Sequence, residues 1–178
     1  PLLHAAQMQH VDQVTLLLEY GADPLCIDQF QNTPLMKALI YSEDQPACVN
    51  ALLPYIKDER KHRPMQTGGS LFHMACELGY TNIVGCLLDH GVDPNQVDIS
   101  GELPIHTAIT FGWPTITQQL LPVTTNLDTP SPKGWSLLHY SVFYKHAKIT
   151  EILLKNFFKS VTTVMMTQSN QQKVVVQP

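Results

Sequence analysis

The sequence predicts an all-α fold, a solenoid of about five stacked helix pairs with loop or hairpin tips. Three observations predict it. Ser70-Leu71-Phe72-His73-Met74-Ala75, Leu103-Pro104-Ile105-His106-Thr107-Ala108 and Ser136-Leu137-Leu138-His139-Tyr140-Ser141 align without gaps, their histidines equally spaced. A leucine doublet follows each histidine at one constant interval, at Leu87-Leu88, Leu120-Leu121 and Leu153-Leu154. Gly91-Val92-Asp93-Pro94 restates Gly21-Ala22-Asp23-Pro24. A fixed period of this length marks units that cannot bury an apolar face alone and must stack on neighbours.

The elements follow in order. Pro1-Leu2-Leu3-His4-Ala5-Ala6 fits a first unit lacking its opening residue. Leu3 takes the histidine position there, because Leu17 follows it by the same interval that separates Leu87 from His73. Thr33-Pro34-Leu35-Met36-Lys37-Ala38 opens the second unit with an N-cap hydroxyl before a proline at the first helical position. Its doublet, Leu52-Leu53, comes late, so about two residues are inserted between its helices. Ser70 and Ser136 cap the third and fifth units; Leu103 cannot, and the fourth unit is expected to start more weakly by about 1 kcal/mol. Gly79 and Gly112 end first helices, and Gly91 ends a second helix before the turn residues Asp93-Pro94-Asn95. Ile83, Val84, Leu87 and Leu88, like Ile149, Ile152, Leu153 and Leu154, carry the helical spacing of a buried stripe. Ala6, Ala38, Ala75 and Ala108 let layers approach.

On these residues the chain resembles the ankyrin repeat family. The resemblance covers residues 1–156, with units near 1–32, 33–69, 70–102, 103–135 and 136–156. Met36 and Leu3 stand in place of histidine, Gln31 in place of a loop glycine, and Thr124-Thr125-Asn126 in place of the Gly-Ala-Asp element. Residues 157–178 fall outside the frame. A capping helix over 157–166, covering the last layer with Phe157, Phe158, Val161 and Val164, and a polar tail are expected there.

Composition narrows the function. Lys plus Arg number 11 against 15 Asp plus Glu, a net charge of −4, which is not the basic balance of a general nucleic-acid binder. No run of about 18 apolar residues occurs, so no spanning helix is expected. The four cysteines form no CxxC pair, which implies reduced thiols and a cytoplasmic or nuclear setting. The start, Pro1-Leu2-Leu3-His4, has no signal pattern and is expected of a piece of a longer protein.

No catalytic, cofactor or metal site is expected. His73, His106 and His139 recur once per layer, too far apart to share a zinc ion at about 2 Å from each nitrogen. They are expected to bond local backbone at helix starts. Gly68-Gly69-Ser70 lacks the flanking glycine of a nucleophile elbow, and no phosphate-binding glycine loop occurs. Asp23, Asp28, Asp93 and Asp98 belong to turns.

The resemblance implies a non-enzymatic scaffold, of adaptor or inhibitor type, that holds a partner protein on a concave face of loop tips and first helices. The alternative is a regulatory or targeting segment of a larger enzyme or channel whose active part lies outside the chain. Carried over residue by residue, the partner-binding positions are Phe30, Tyr41, Ile99, Phe111, Lys133, Trp135, Phe143 and Tyr144, with Phe111, Trp135 and Tyr144 at the centre. Aromatic anchors suit interface hot spots. Arg60, Lys61 and Arg63 read either as a solvated loop or as a contact for an acidic partner. Asn95, eight residues after Leu87, is a turn asparagine or, by the resemblance, a site for an oxygen-dependent asparaginyl hydroxylase.

Overall fold

The structure is a computed structural model and describes residues 1–56, 68–125, 127 and 130–158. Among them it is all-helical: five antiparallel pairs stack in chain order. The first pair is α1 (Leu2–Gln7) with α2 (Val11–Glu19), the second α3 (Pro34–Ile40) with α4 (Ala47–Leu52), which runs on into a 3-10 turn over Leu53–Tyr55. Next come α5 (Leu71–Leu78) with α6 (Thr81–Asp89), and α7 (Pro104–Phe111) with α8 (Pro114–Leu120). The last pair is α9 (Leu137–Phe143) with α10, residues 147–158. First helices pack on first helices and second on second, so one core runs through all the layers.

The spacing in the sequence explains that core. Ala6, Ala38, Ala75 and Ala108 are fully buried, and Ser141 takes the same place in the last pair. With no bulk beyond Cβ, the alanines let neighbouring first helices close together. Val84, Leu87, Leu120 and Ile149 fill the space between first and second helices. The doublets divide unevenly: Leu52 and Leu53 are both fully buried, whereas Leu154 is 39% exposed because none of the described residues forms a layer beyond it.

The histidines start the helices. Ser70 N–H donates to His73 Nδ1 (3.1 Å), Leu103 N–H to His106 Nδ1 (3.0 Å) and Ser136 N–H to His139 Nδ1 (3.2 Å). Each ring fills the acceptor role that glutamate takes in a capping box. Leu103 has no side-chain acceptor, as expected, and its N–H bond to His106 is one that the third and fifth units make as well. Thr33 Oγ1 accepts from Met36 N–H at 3.3 Å where no histidine is present.

The insertion in the second unit also has a use. Glu43 and Asp44 turn through the left-handed region, and Asp44 Oδ1 accepts from Asn82 N–H (2.8 Å) and Ile83 N–H (3.0 Å). An aspartate from one unit thus caps the second helix of the next, beside the positive end of its dipole. Of the cap expected over 157–166, only Phe157 and Phe158 are among the described residues. Both continue α10 and are more than half exposed, and residues 159–166 of that expectation lie outside the described residues.

Candidate partner-binding face

Three loop tips share one local construction. Asp28 N–H donates to Asn32 C=O (3.1 Å), Asp98 N–H to Glu102 C=O (2.9 Å) and Ser131 N–H to Trp135 C=O (2.8 Å). The Asp28 carboxylate accepts from Phe30 N–H (2.8 Å), Asn32 N–H (2.9 Å) and Lys37 Nζ (3.0 Å). Asp98 accepts from Ser100 N–H (2.8 Å) and Glu102 N–H (2.9 Å). Each tip turns through a residue with positive φ: Gln31, Gly101 or Gly134. Burial opposes ionisation of Asp28, but the Asn32 N–H, the Lys37 ammonium and the Phe30 N–H outweigh it and hold the carboxyl down to about 2.

Tips pack on tips. A Cβ on Gly68 would overlap Ile99, and one on Gly101 would overlap Pro132, each a residue of the following tip. A glycine in one tip therefore receives a side chain from the next. The row presents Phe30 (61% exposed) and Ile99 (82% exposed) on backbone fixed by the aspartates.

First helices carry the second part of the face. Trp135 meets Phe143 edge-on at 4.8 Å between ring centroids and Tyr140 at 5.4 Å. Tyr144 packs on Phe143 at 5.1 Å and lies parallel to His146 at 6.4 Å. Edge and offset contacts of this kind stabilise ring clusters beyond the area they bury. Of the expected central trio, the structure brings Trp135 and Tyr144 together through Phe143. Phe111 is exposed on α7 without ring contact to them. Tyr41 lies apart, its ring 5.7 Å below the Lys37 ammonium.

Beneath the rings lies a polar knot that sequence reasoning missed. Tyr140 Oη donates to Glu102 Oε1 (2.7 Å) and shares a hydrogen bond with Ser131 Oγ (3.0 Å); Lys133 Nζ sits 2.6 Å from the same carboxylate oxygen. Burial pushes the Tyr140 phenol up, and the Glu102 carboxylate adds to this despite the Ser131 bond. The hydrogen bond to Glu102 raises the Lys133 ammonium. Lys133, read from the sequence as a partner contact, is thus already engaged. The only sequence signal was an acid at one unit boundary and a tyrosine more than a full unit beyond it, a separation that carries no period.

Asn95 ties two loops. Its Nδ2 donates to Val123 C=O (3.0 Å), and its Oδ1 accepts from Thr125 N–H (2.7 Å) and Thr125 Oγ1 (3.2 Å). Arg60, Lys61 and Arg63 lie outside the described residues. Cys48, Cys76 and Cys86 are buried free thiols, and burial raises all three; Cys86 reaches about 11. No group of three or more metal-binding side chains occurs among the described residues, and no helix among them is long and apolar enough to cross a membrane.

Comparison with known proteins agrees with this architecture. The family profile for ankyrin repeats in three copies matches residues 72–163, and that for a single ankyrin repeat matches residues 1–29. An ankyrin repeat protein of fowlpox virus is 34% identical over 111 residues, which is 62% of this chain and 74% of that protein. The mouse B-cell lymphoma 3 protein homolog is 30% identical over 131 residues, 72% of this chain but 29% of the relative. The E3 ubiquitin-protein ligase KEG of Arabidopsis thaliana is 31% identical over 106 residues, 59% of this chain and 6% of that protein. The chain therefore spans most of the viral relative and only a small part of the other two. With its helix pairs, its constant repeat frame and its histidine-capped first helices, the chain belongs to the ankyrin repeat family, whose arrays are protein-interaction modules.

Proposed function

We propose that this array is a non-enzymatic adaptor or inhibitor that holds a partner protein against the face made by its loop tips and first helices. The observation that carries this reading is the joined ring cluster of Trp135, Phe143 and Tyr144. It is partly solvent-exposed and rests on the buried Tyr140, whose hydroxyl is bonded to Glu102 and Ser131. A preordered apolar patch of this kind costs little to immobilise on binding. The free, buried cysteines support a cytoplasmic or nuclear setting.

The test is affinity capture with this chain, followed by titration of the captured partner against variants. Trp135→Ala and Phe143→Ala are each expected to weaken binding by about 2 kcal/mol, the cost of removing a hot-spot ring. Losses under about 0.5 kcal/mol for both would remove the face from the interface. Arg60, Lys61 and Arg63 form the second part of the proposal, as a contact for acidic groups on the partner. Replacing all three is expected to abolish the salt dependence of affinity, and an unchanged dependence on ionic strength would refute that contact.

One observation favours a second reading, that the array is the targeting segment of a larger enzyme. The E3 ubiquitin-protein ligase it resembles is matched over only 6% of its length. The sequence flanking this chain in the full gene product decides between the two.

A further inference from the structure

Two of the three loop tips are closed around an anion, and the third has the same frame without one. Asp28, Asp98 and Ser131 each stand five residues before the N-cap residue of a first helix, Thr33, Leu103 or Ser136. Besides the backbone bond already described, every tip has a second one: Gln31 N–H to Asp28 C=O (3.0 Å), Gly101 N–H to Asp98 C=O (3.0 Å) and Gly134 N–H to Ser131 C=O (2.7 Å). In the first two tips the carboxylate accepts from the N–H groups two and four residues on, those of Phe30 and Asn32 or of Ser100 and Glu102. The corresponding groups in the last tip are the N–H of Lys133 and the N–H of Trp135, and neither has an acceptor among the described residues.

A cation is also at hand. In the first tip the Lys37 ammonium completes the contacts of Asp28 at 3.0 Å; in the last, Lys133 carries an ammonium on the tip itself, its side chain 60% exposed. The residue at the centre of this arrangement is a serine, and a hydroxyl can be converted to an anion by phosphorylation. The residue after it is Pro132, which has no N–H to leave unpaired and holds Ser131 to extended backbone. An extended serine followed by proline is the form in which a proline-directed protein kinase takes its substrate, and here Lys133 follows the proline.

We propose that Ser131 is a phosphorylation site for a proline-directed protein kinase, and that its phosphate becomes the anion of the last tip. ATP supplies the group: Ser131 Oγ bonds to the γ-phosphorus, the bond from that phosphorus to the β,γ-bridging oxygen breaks, ADP leaves, and the hydroxyl proton passes to the kinase's catalytic aspartate. Ser131 is buried beneath Tyr140, so the tip opens for the transfer. Opening melts no helix, because Pro130, Pro132, Lys133 and Gly134 are exposed and two backbone bonds and the Tyr140 hydroxyl hold the segment. A phosphate of about −1.5 to −2 charge then cannot return beneath Tyr140, whose hydroxyl is bonded to the Glu102 carboxylate. It accepts from the N–H groups of Lys133 and Trp135 and draws the Lys133 ammonium from Glu102, as Asp28 holds Lys37. The site stands whichever partner the neighbouring rings hold.

The test treats the folded 178-residue chain with a proline-directed kinase and magnesium ATP, and maps the product by peptide fragmentation. One phosphoryl group on Ser131 is expected, with none at that position in Ser131→Ala. No phosphate on the folded chain, or phosphate at Thr129-Pro130 alone, overturns the site. Residue-resolved amide exchange then reads where the phosphate sits. In the phosphorylated chain the Lys133 and Trp135 amides are expected to exchange at least about tenfold more slowly than in the parent, since each gains a charge-assisted bond. The same slowing is expected in Ser131→Asp, which restores the aspartate of the other tips. A phosphorylated chain that exchanges no more slowly than the parent overturns the placement of the phosphate, and unchanged exchange in Ser131→Asp overturns the reading of this tip as an anion site.

Discussion

At the scale of single residues, Asn95 illustrates how a turn residue becomes a tie between units. The sequence reads it as a turn asparagine, and its own N–H does donate to Asp93 Oδ1 at 2.9 Å. Its side chain, however, spans to Val123 and Thr125 in the next unit. There the Gly-Ala-Asp element is replaced by Thr124-Thr125-Asn126, so the amide holds a loop whose usual turn residues are missing. Asn95→Ala is expected to cost about 1–2 kcal/mol in denaturant unfolding, the net worth of the lost hydrogen bonds. A change within about 0.3 kcal/mol would show that solvent replaces them at no cost.

At the scale of elements, two rows of glycines set the distance between units. Gly68 and Gly101 receive Ile99 and Pro132 at the tips, while Gly79 and Gly112 receive Trp113 and His146 where first helices end. Each first-helix glycine has φ near +80°, and a Cβ there would meet the ring packed over it. Periodicity made the left-handed caps legible, but not the rings above them, because those rings come from the following unit. Gly112→Ala is expected to destabilise the array by more than about 1 kcal/mol, combining left-handed strain with displacement of His146. Equal thermal midpoints for parent and variant would contradict that packing. Asp44 shows the same limit: the inserted residues were visible as a length change, but their capping of α6 depends on which helix lies opposite.

At the scale of the whole molecule, the buried imidazoles couple stability to pH. Burial lowers both His73 and His106 from 6.5, although Asp98 and Glu102 act in the opposite sense. The unfolded chain therefore takes up protons near pH 6.5 that the folded chain refuses until lower pH. Stability from these residues is complete above that value and is lost as pH falls through it toward the folded values. The thermal midpoint is expected to drop between about pH 7.5 and pH 5.5, and to drop less in a His73→Gln, His106→Gln double variant. An equal fall in both proteins would place the titration elsewhere.

The repeat alone dictated the all-helical fold, the pairing of helices, the buried alanines and leucines, and the helix-starting role of the histidines. Each of these depends on contacts within one unit or between identical registers of successive units, and a period records such contacts directly. Packing in three dimensions was needed to establish which exposed rings join, that Phe111 stands apart from Trp135, that Lys133 is bound to Glu102, and that Val142 is exposed where Ile109 is buried. Those outcomes arise where residues of different register meet across layers, and the energy of such a meeting depends on side-chain direction in space, which residue spacing does not encode.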